Sequence, residues 1–211
     1  LESKIPSATV SRLSRYYRRL VYLEGQGVDT VSSVALGEVE GVTSSQVRKD
    51  LSLFGSFGTK GLGYPVCELK RKIASILGLD RRWRVGLVGV GNVGSALVGY
   101  KEFHRRGFDI VVAFDNDKRK IGSKRGDLIV KDVEGMERYL MGKRIDMMIL
   151  TVPADQMQKV AERVVECGVK AILNFAPVSL KLSPGVFVRD ENIVIGLEAL
   201  SFSLVNRRLL E

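Results

Sequence analysis

Two patterns of apolar spacing succeed one another along the chain. From Ser7 to Gly78 apolar residues recur at helical spacing between turn signals; from Arg84 onward short apolar runs alternate with helical stretches. In the first region Val10, Leu13, Tyr17 and Leu20 form a stripe that predicts a helix from Ser7, after Pro6, ended by Gly25 and Gly27, with Arg12, Arg15, Arg18 and Arg19 on the opposite face. A short segment, Ser33 to Glu40, is followed by Gly41-Val42 and then by Thr43, with Gln46 three residues on. That pair is a capping box and predicts a second helix from Ser44. Val47, Leu51 and Phe54 share its inner face, Ser45, Lys49 and Ser52 point away, and Gln46 and Arg48 lie on the flanks. A short helix, a tight turn and a helix with small polar and basic outer residues is the layout of a helix-turn-helix. Phe57 to Tyr64, with Lys60 and Gly61 at its tip, reads as a β-hairpin wing. The candidate DNA contacts are Arg12, Arg15, Ser45, Gln46, Arg48, Lys49, Lys60 and Gly61, with Gln46 suited to adenine and Arg48 or Lys49 to guanine or phosphate. A small helical bundle with a solvated polar face is the alternative.

The second region opens with the apolar run Arg84 to Val88, then Gly89-Val90-Gly91-Asn92-Val93-Gly94, then the helical Ser95 to Tyr100. Strand, G-x-G-x-x-G and helix in this order cradle a pyrophosphate: the first glycine makes the turn, the second admits close approach, and the third lets helix and strand pack. A second strand, Asp109 to Phe114, ends at Asp115, 21 residues after Gly94, where an acid accepts ribose hydroxyls, with Asn116 beside it. A carboxylate there favours NAD over NADP; Lys118, Arg119 and Lys120 are either the solvated start of a following helix or a phosphate clamp. Further strands are predicted at 128–130, 145–150, 171–175 and 193–195, and helices near 133–141 and 155–167, which together make a doubly wound parallel sheet of the Rossmann kind. Thr151-Val152-Pro153 and Asn174-Phe175-Ala176-Pro177 end the fourth and fifth strands and would flank a nicotinamide, Asn174 bonding its carboxamide and Phe175 or Pro177 forming an apolar wall. The tail from Leu197 to Glu211 is apolar on more than one side, which points to subunit contact, with packing onto its own sheet as the alternative.

Composition narrows the function. At 45% hydrophobic and 27% charged, the chain is too apolar to be disordered, and its net charge of +9 points to an anionic partner. Residues 1–82 hold 13 basic and 8 acidic side chains, so the positive face is expected there. No apolar stretch is long enough for a membrane helix and no leader resembles a signal peptide, so a cytoplasmic protein without membrane association is expected. Cys67 and Cys167 stand alone, which predicts buried free thiols and no metal. His104 is the single histidine, and no catalytic constellation is evident. A boundary within Gly78 to Arg82 divides the chain into a DNA-binding domain (1–82), a dinucleotide-binding domain (83–195) and a dimerisation helix (196–211).

These features resemble the Rex family of redox-sensing transcriptional repressors. The resemblance covers nearly the whole chain and is most specific in Gln46-Val47-Arg48-Lys49-Asp50-Leu51-Ser52, Phe54 to Tyr64, Leu150 to Pro153 and Ile172 to Pro177. It implies an α/β fold: an N-terminal winged helix-turn-helix, a Rossmann domain, and a C-terminal helix exchanged in a homodimer that binds double-stranded operator DNA. It also implies NADH and NAD+ as ligands, with release from DNA when NADH accumulates. Arg48, Lys49 and Lys60 would touch DNA, Gly89 to Gly94 the pyrophosphate and Asp115 the ribose, while Tyr100 would lie near the nicotinamide. An apolar pocket of Phe175, Pro177 and the partner subunit's Ile193 would penalise the cationic oxidised ring. This chain departs from the pattern at Asn92, where relatives carry Arg, and at Asn192-Ile193, where they carry Asp-Phe. The rival readings are an NAD-dependent oxidoreductase, a CoA- or other nucleotide-responsive DNA-binding regulator, and a structural dimer with a vestigial loop.

Overall fold

The computed structural model describes residues 5–59 and 61–207. The chain divides into two compact units, Leu1–Arg81 and Arg82–Glu211.

The first unit is built from α1 (Ser7–Gly25), β1 (Thr30–Val31), α2 (Ser33–Glu40), α3 (Ser44–Ser52), β2 (Tyr64–Pro65) and α4 (Val66–Ile76). Ser32 caps α2 and Thr43 caps α3, each hydroxyl accepting the backbone N–H three residues on, from Ala35 at 3.0 Å and Gln46 at 3.2 Å. Between them Gly41 turns the chain with φ +61°, and a Cβ on Gly37 would meet the Val42 carbonyl oxygen at 2.4 Å, so the α2–α3 turn packs against bare backbone. Leu13, Leu20, Leu36, Val47, Leu51, Leu69 and Ile73 close the core; burying each contributes about 1.5–3 kcal/mol.

Three expectations for this unit change. The buried face of α1 is Thr9, Leu13, Tyr16, Leu20 and Leu23, while Val10 is 43% exposed, because a buried carboxylate draws polar side chains inward. Among the described residues the pairing across the wing is a single antiparallel bridge, Thr59 with Gly63, and Tyr64–Pro65 pairs with Thr30–Val31. Positive φ at Gly58, Gly61 and Gly63 bends this segment out of a ladder. Cys67, expected to be buried, is exposed on the outer face of α4, whose buried positions are Val66, Leu69 and Ile73.

The second unit runs β3 (Trp83–Val88), α5 (Asn92–Val98), α6 (Lys101–Arg105), β4 (Phe108–Asp115), β5 (Lys124–Arg125), β6 (Leu128–Asp132), a 3-10 turn (Val133–Gly135), α7 (Met136–Leu140), β7 (Met147–Leu150), α8 (Ala154–Glu166), β8 (Ala171–Asn174), β9 (Phe187–Asp190) and α9 (Ile193–Val205). Among the described residues seven strands form one sheet in the order β5-β6-β4-β3-β7-β8-β9, parallel except for the β5–β6 pair. Both faces are covered: Val112, Phe114, Met148 and Leu150 enter one core, and Val85, Leu87, Ala113 and Ile149 enter the other. Hence the central strands read as unbroken apolar runs. The chain winds outward from β3 through β4 and β6, then returns to the other side of β3 at β7. The switch point lies between the carboxyl ends of β3 and β7, where such sheets hold their ligands.

The run 193–195, predicted as a strand, is instead the first turn of α9. The Asn192 side chain accepts the Val194 N–H at 2.9 Å and starts a helix, and the place beside β8 is taken by Phe187–Asp190. The turn through 117–122 replaces the helix expected after Asp115. No residue of α9 is buried, and Leu197, Leu200, Leu204 and Val205 are each more than 60% exposed, so α9 does not pack onto its own sheet.

Candidate functional sites

The glycine loop sits at the switch point, and its shape is dictated by contacts rather than by propensity. Gly89 leaves β3 with φ +96°, and a Cβ on it would stand 2.7 Å from the Thr151 carbonyl oxygen at the end of β7. Only glycine satisfies both conditions. Gly94, in the first turn of α5, is tighter still: its Cβ would lie 1.9 Å from the Gly89 oxygen and 2.8 Å from Thr151 Oγ1. Gly91 differs, since a Cβ there would meet nothing within 4 Å. The space above it is open for a ligand. Thr151 Oγ1 donates to the Gly89 carbonyl oxygen at 2.5 Å, tying the loop to the neighbouring strand.

Asp115 closes the loop from the other side. It is 5% exposed; Oδ2 accepts the Val90 N–H at 2.6 Å and lies 3.2 Å from Lys120 Nζ, and Oδ1 accepts the Asp117 N–H at 2.8 Å. The carboxylate thus shapes the loop as well as facing the cleft. A cavity of about 480 Å³ opens here, lined by Gly89, Gly91, Asp115, Asn116, Thr151, Val152 and Pro153 among others. Its far wall, from Val133, Glu134, Gln156, Lys159 and Val160, was not anticipated from the sequence, although Val133 and Glu134 directly follow the third parallel strand. Arg163 braces that wall, donating to the Val133 carbonyl oxygen at 2.9 Å and gripping Glu137 at 2.5 and 3.1 Å. Lys120 belongs to the cavity, beside Asp115, rather than to a solvated helix.

Other predicted ligand residues lie elsewhere. Asn174 is fully buried and bonded within its own chain: it donates to the Val178 carbonyl oxygen at 2.9 Å and to Asp190 at 2.7 Å, and accepts the Ala176 N–H at 2.9 Å, leaving neither amide hydrogen for a carboxamide. Phe175 is half-buried against the core beside Leu87, Ala176 is buried, and Pro177 is exposed; none of them lines the cavity. Tyr100 stands past the opposite end of α5 from the glycine loop, 55% exposed, with its ring edge-on to Phe103 at 5.2 Å. Asn92 and Val93 are exposed at the start of α5, and Ile193 is 74% exposed at the start of α9. His104 belongs to the amino end of β4, where hydrogen bonds from Arg82, joined by His104 itself, hold the Asp109 carboxyl at about 2 despite partial burial. That cluster is at the wrong edge of the sheet to serve the cleft. Cys167, by contrast with Cys67, is half-buried, which pushes its thiol up.

In the first unit, Ser45, Arg48, Lys49 and Ser52 are exposed together on α3. Arg48 is steadied there, donating to Ser33 Oγ at 2.9 Å and Ser45 Oγ at 3.1 Å. Arg15 is paired with Glu40 at 2.5 Å but remains half-exposed, Gly61 is exposed, and Lys60 lies outside the described residues. Arg12 and Gln46 turn inward. Arg12 Nε and Nη2 donate to the two oxygens of Asp50 at 2.6 and 2.7 Å, and Gln46 Nε2 donates to Oδ1 at 2.9 Å. The reason is electrostatic: Asp50 is 1% exposed, and a buried carboxylate must be matched by nearby donors. Tyr16 also donates to it, at 3.0 Å. Burial pushes the Asp50 carboxyl up, but the donors, led by Arg12, outweigh it and hold the group below the usual range; burial and the same carboxylate raise the Tyr16 phenol.

Comparison with known proteins shows the same division. The family model "Putative DNA-binding protein N-terminus" matches residues 4–52, and the "CoA binding domain" model matches residues 80–178. A curated relative, the redox-sensing transcriptional repressor Rex of Carboxydothermus hydrogenoformans, is 47% identical over 95% of this chain and 97% of its own length. The chain belongs to the Rex family of redox-sensing transcriptional repressors. The Rex of Thermus thermophilus is 44% identical over 99% of this chain and 98% of its own. Among solved structures, the Rex-family repressor RSP superposes with a TM-score of 0.91 at 38% identity, covering 99% of this chain and 97% of that one. RSP has also been solved with β-NAD+ and operator DNA, and with β-NADH. The Rex relatives are repressors, not enzymes, which removes the dehydrogenase reading. Among the described residues no helix is long and apolar enough to cross a membrane, and no cluster of His, Cys, Asp or Glu could hold a metal.

Proposed function

We propose that this chain binds operator DNA as a cytoplasmic homodimer through α3 and is released when NADH occupies the cleft of the second unit. The observation that carries this reading is the glycine loop. Gly94 and Gly89 admit no side chain while Gly91 faces open space beside Asp115, an arrangement that fits a pyrophosphate with a ribose next to it. The likeness to RSP, solved with both nicotinamide cofactors and with DNA, supports it.

Gly89 to Gly94 would hold the pyrophosphate, Asp115 and Asn116 the adenosine ribose, and Val133 the adenine side. Val152 and Pro153 would face the nicotinamide end. Oxidised nicotinamide is a cation and the reduced ring is neutral, so apolar walls favour NADH. NADH changes DNA affinity only by binding two dimer arrangements unequally, and two recognition helices must stay about 34 Å apart to enter successive major grooves. The exposed apolar α9 supports a dimer joined through that helix.

The test is fluorescence anisotropy on a labelled palindromic duplex at fixed salt, titrated in parallel with NADH, NAD+ and CoA. Release by NADH at far lower concentration than by NAD+ is expected, and release by CoA alone would move the cleft to a different nucleotide. On the DNA side, Arg48→Ala is expected to cost about 1–3 kcal/mol of operator affinity. If Arg48 meets a phosphate, the slope of log K against log salt falls by about 0.9; an Arg48→Ala protein with wild-type affinity and slope would take α3 out of the interface.

A further inference from the structure

We propose that Asp50 is the positioning residue of the recognition helix: from inside the first unit its carboxylate locks the rotation of α3 against α1 and keeps Arg12 and Gln46 away from DNA. This rests on α3 being the element that enters the major groove. Asp50 lies on the inner side of α3, opposite the exposed Ser45, Lys49 and Ser52. Five hydrogen bonds converge on it. Oδ1 accepts from Thr9 Oγ1 at 3.3 Å, Arg12 Nη2 at 2.7 Å and Gln46 Nε2 at 2.9 Å; Oδ2 accepts from Arg12 Nε at 2.6 Å and Tyr16 Oη at 3.0 Å. Arg12 Nη2 also reaches Thr9 Oγ1 at 3.2 Å, so the donors are themselves linked. Thr9, Arg12 and Tyr16 all come from α1, whereas Gln46 is one turn back on α3 itself.

Leu13 of α1 and Val47 and Leu51 of α3 share the apolar core of this unit. Apolar burial is non-directional and tolerates a small rotation of a helix in its seat. Base-edge hydrogen bonds do not, because they weaken steeply with angle and distance. A planar guanidinium fork on a planar carboxylate supplies the missing directionality. The same bonds take two side chains out of the reading set. Gln46, whose sequence position suits adenine, is committed to Asp50, and the Arg12 cation is neutralised inside the unit. Discrimination between bases is thus left to the outer residues of α3, above all Arg48 and Lys49.

The experiment compares full-length wild type, Asp50→Asn and Arg12→Lys on two labelled duplexes: one selected by the wild-type chain from a random-sequence pool, and a scrambled duplex of equal length. Asp50→Asn is expected to lose on the order of 30-fold in affinity for the selected duplex, the scale of one or two base contacts. Binding to the scrambled duplex, which is governed by phosphate charge, should change by less than about twofold. Arg12→Lys keeps the charge but not the fork and should lose selectivity in the same direction by several-fold, so the assignment stays testable if Asp50→Asn does not fold. NADH affinity should be unchanged in both. A purely structural role would lower the folded fraction, seen by circular dichroism, and would weaken both duplexes together. A folded variant with the wild-type ratio of affinities overturns the positioning role alone. A wild type that shows no preference between the duplexes overturns the DNA-binding reading and this assignment with it.

Discussion

Gly94→Ala is expected to abolish measurable NADH binding while the protein still binds operator DNA, now without response to the cofactor. The added Cβ would stand 1.9 Å from the Gly89 carbonyl oxygen, a backbone atom that cannot rotate away, and 2.8 Å from Thr151 Oγ1. Relief requires the loop to separate from α5, which disturbs the Val90–Asp115 bond on one side and the Thr151–Gly89 bond on the other. Overpacking of this kind costs about 1–3 kcal/mol or more, and the binding surface is the part that moves. Gly91→Ala provides the contrast. Its Cβ meets no protein atom within 4 Å, so the thermal unfolding midpoint should stay at the wild-type value while NADH affinity falls, the methyl group standing where a phosphate approaches. Fluorescence titration with NADH alongside thermal unfolding separates the two. Wild-type NADH affinity in both variants would remove the dinucleotide from this cleft.

If α9 joins the proposed homodimer, Leu200→Glu combined with Leu204→Glu is expected to leave a monomer and to weaken binding to a palindromic duplex by about 100-fold or more, since two linked half-site contacts become independent. Both leucines are strongly exposed, at 62% and 79%, within a helix that buries none of its residues in its own chain. So much apolar surface on one helix supports the proposed subunit contact. Two carboxylates buried in such an interface would have no donor to meet them. Sedimentation equilibrium and anisotropy on the same samples decide the matter: a variant that remains dimeric would place the subunit contact elsewhere, and a wild type that is monomeric at micromolar concentration would end the dimer reading. NADH affinity of the monomer also reports how far the cleft depends on the second subunit.

The features legible in the sequence are those whose causes are local. Thr43 with Gln46 announces the start of α3 because the bond that caps the helix spans three residues. The strand, glycine loop and helix can be read in order because the three glycines recur at a fixed short spacing between an apolar run and a helical one, and Asp115 because it ends the next strand over. Doubly wound topology follows from alternation alone. The features that the sequence does not reveal are those whose partners are remote. Ile193-Val194-Ile195 has the composition of a strand, but Asn192 caps it as a helix and Phe187–Asp190 already holds the sheet edge. Asn174 ends a strand where a ligand contact was plausible, yet Asp190, sixteen residues on, claims its amide. Arg12 reads as an outer-face residue and Gln46 as a flank residue until Asp50 is placed behind them, thirty-eight residues away from Arg12. Tyr100 follows Gly94 by six residues, and α5 places it past the other end of that helix. The sequence by itself determined the elements, their order and the chemistry of the glycine cleft, because hydrophobic period, capping and turn demands act over a few residues. Only the tertiary structure decided which polar side chains face a ligand and which are consumed inside the protein, because a buried charge recruits whatever donors the fold brings within about 3 Å, regardless of their separation along the chain.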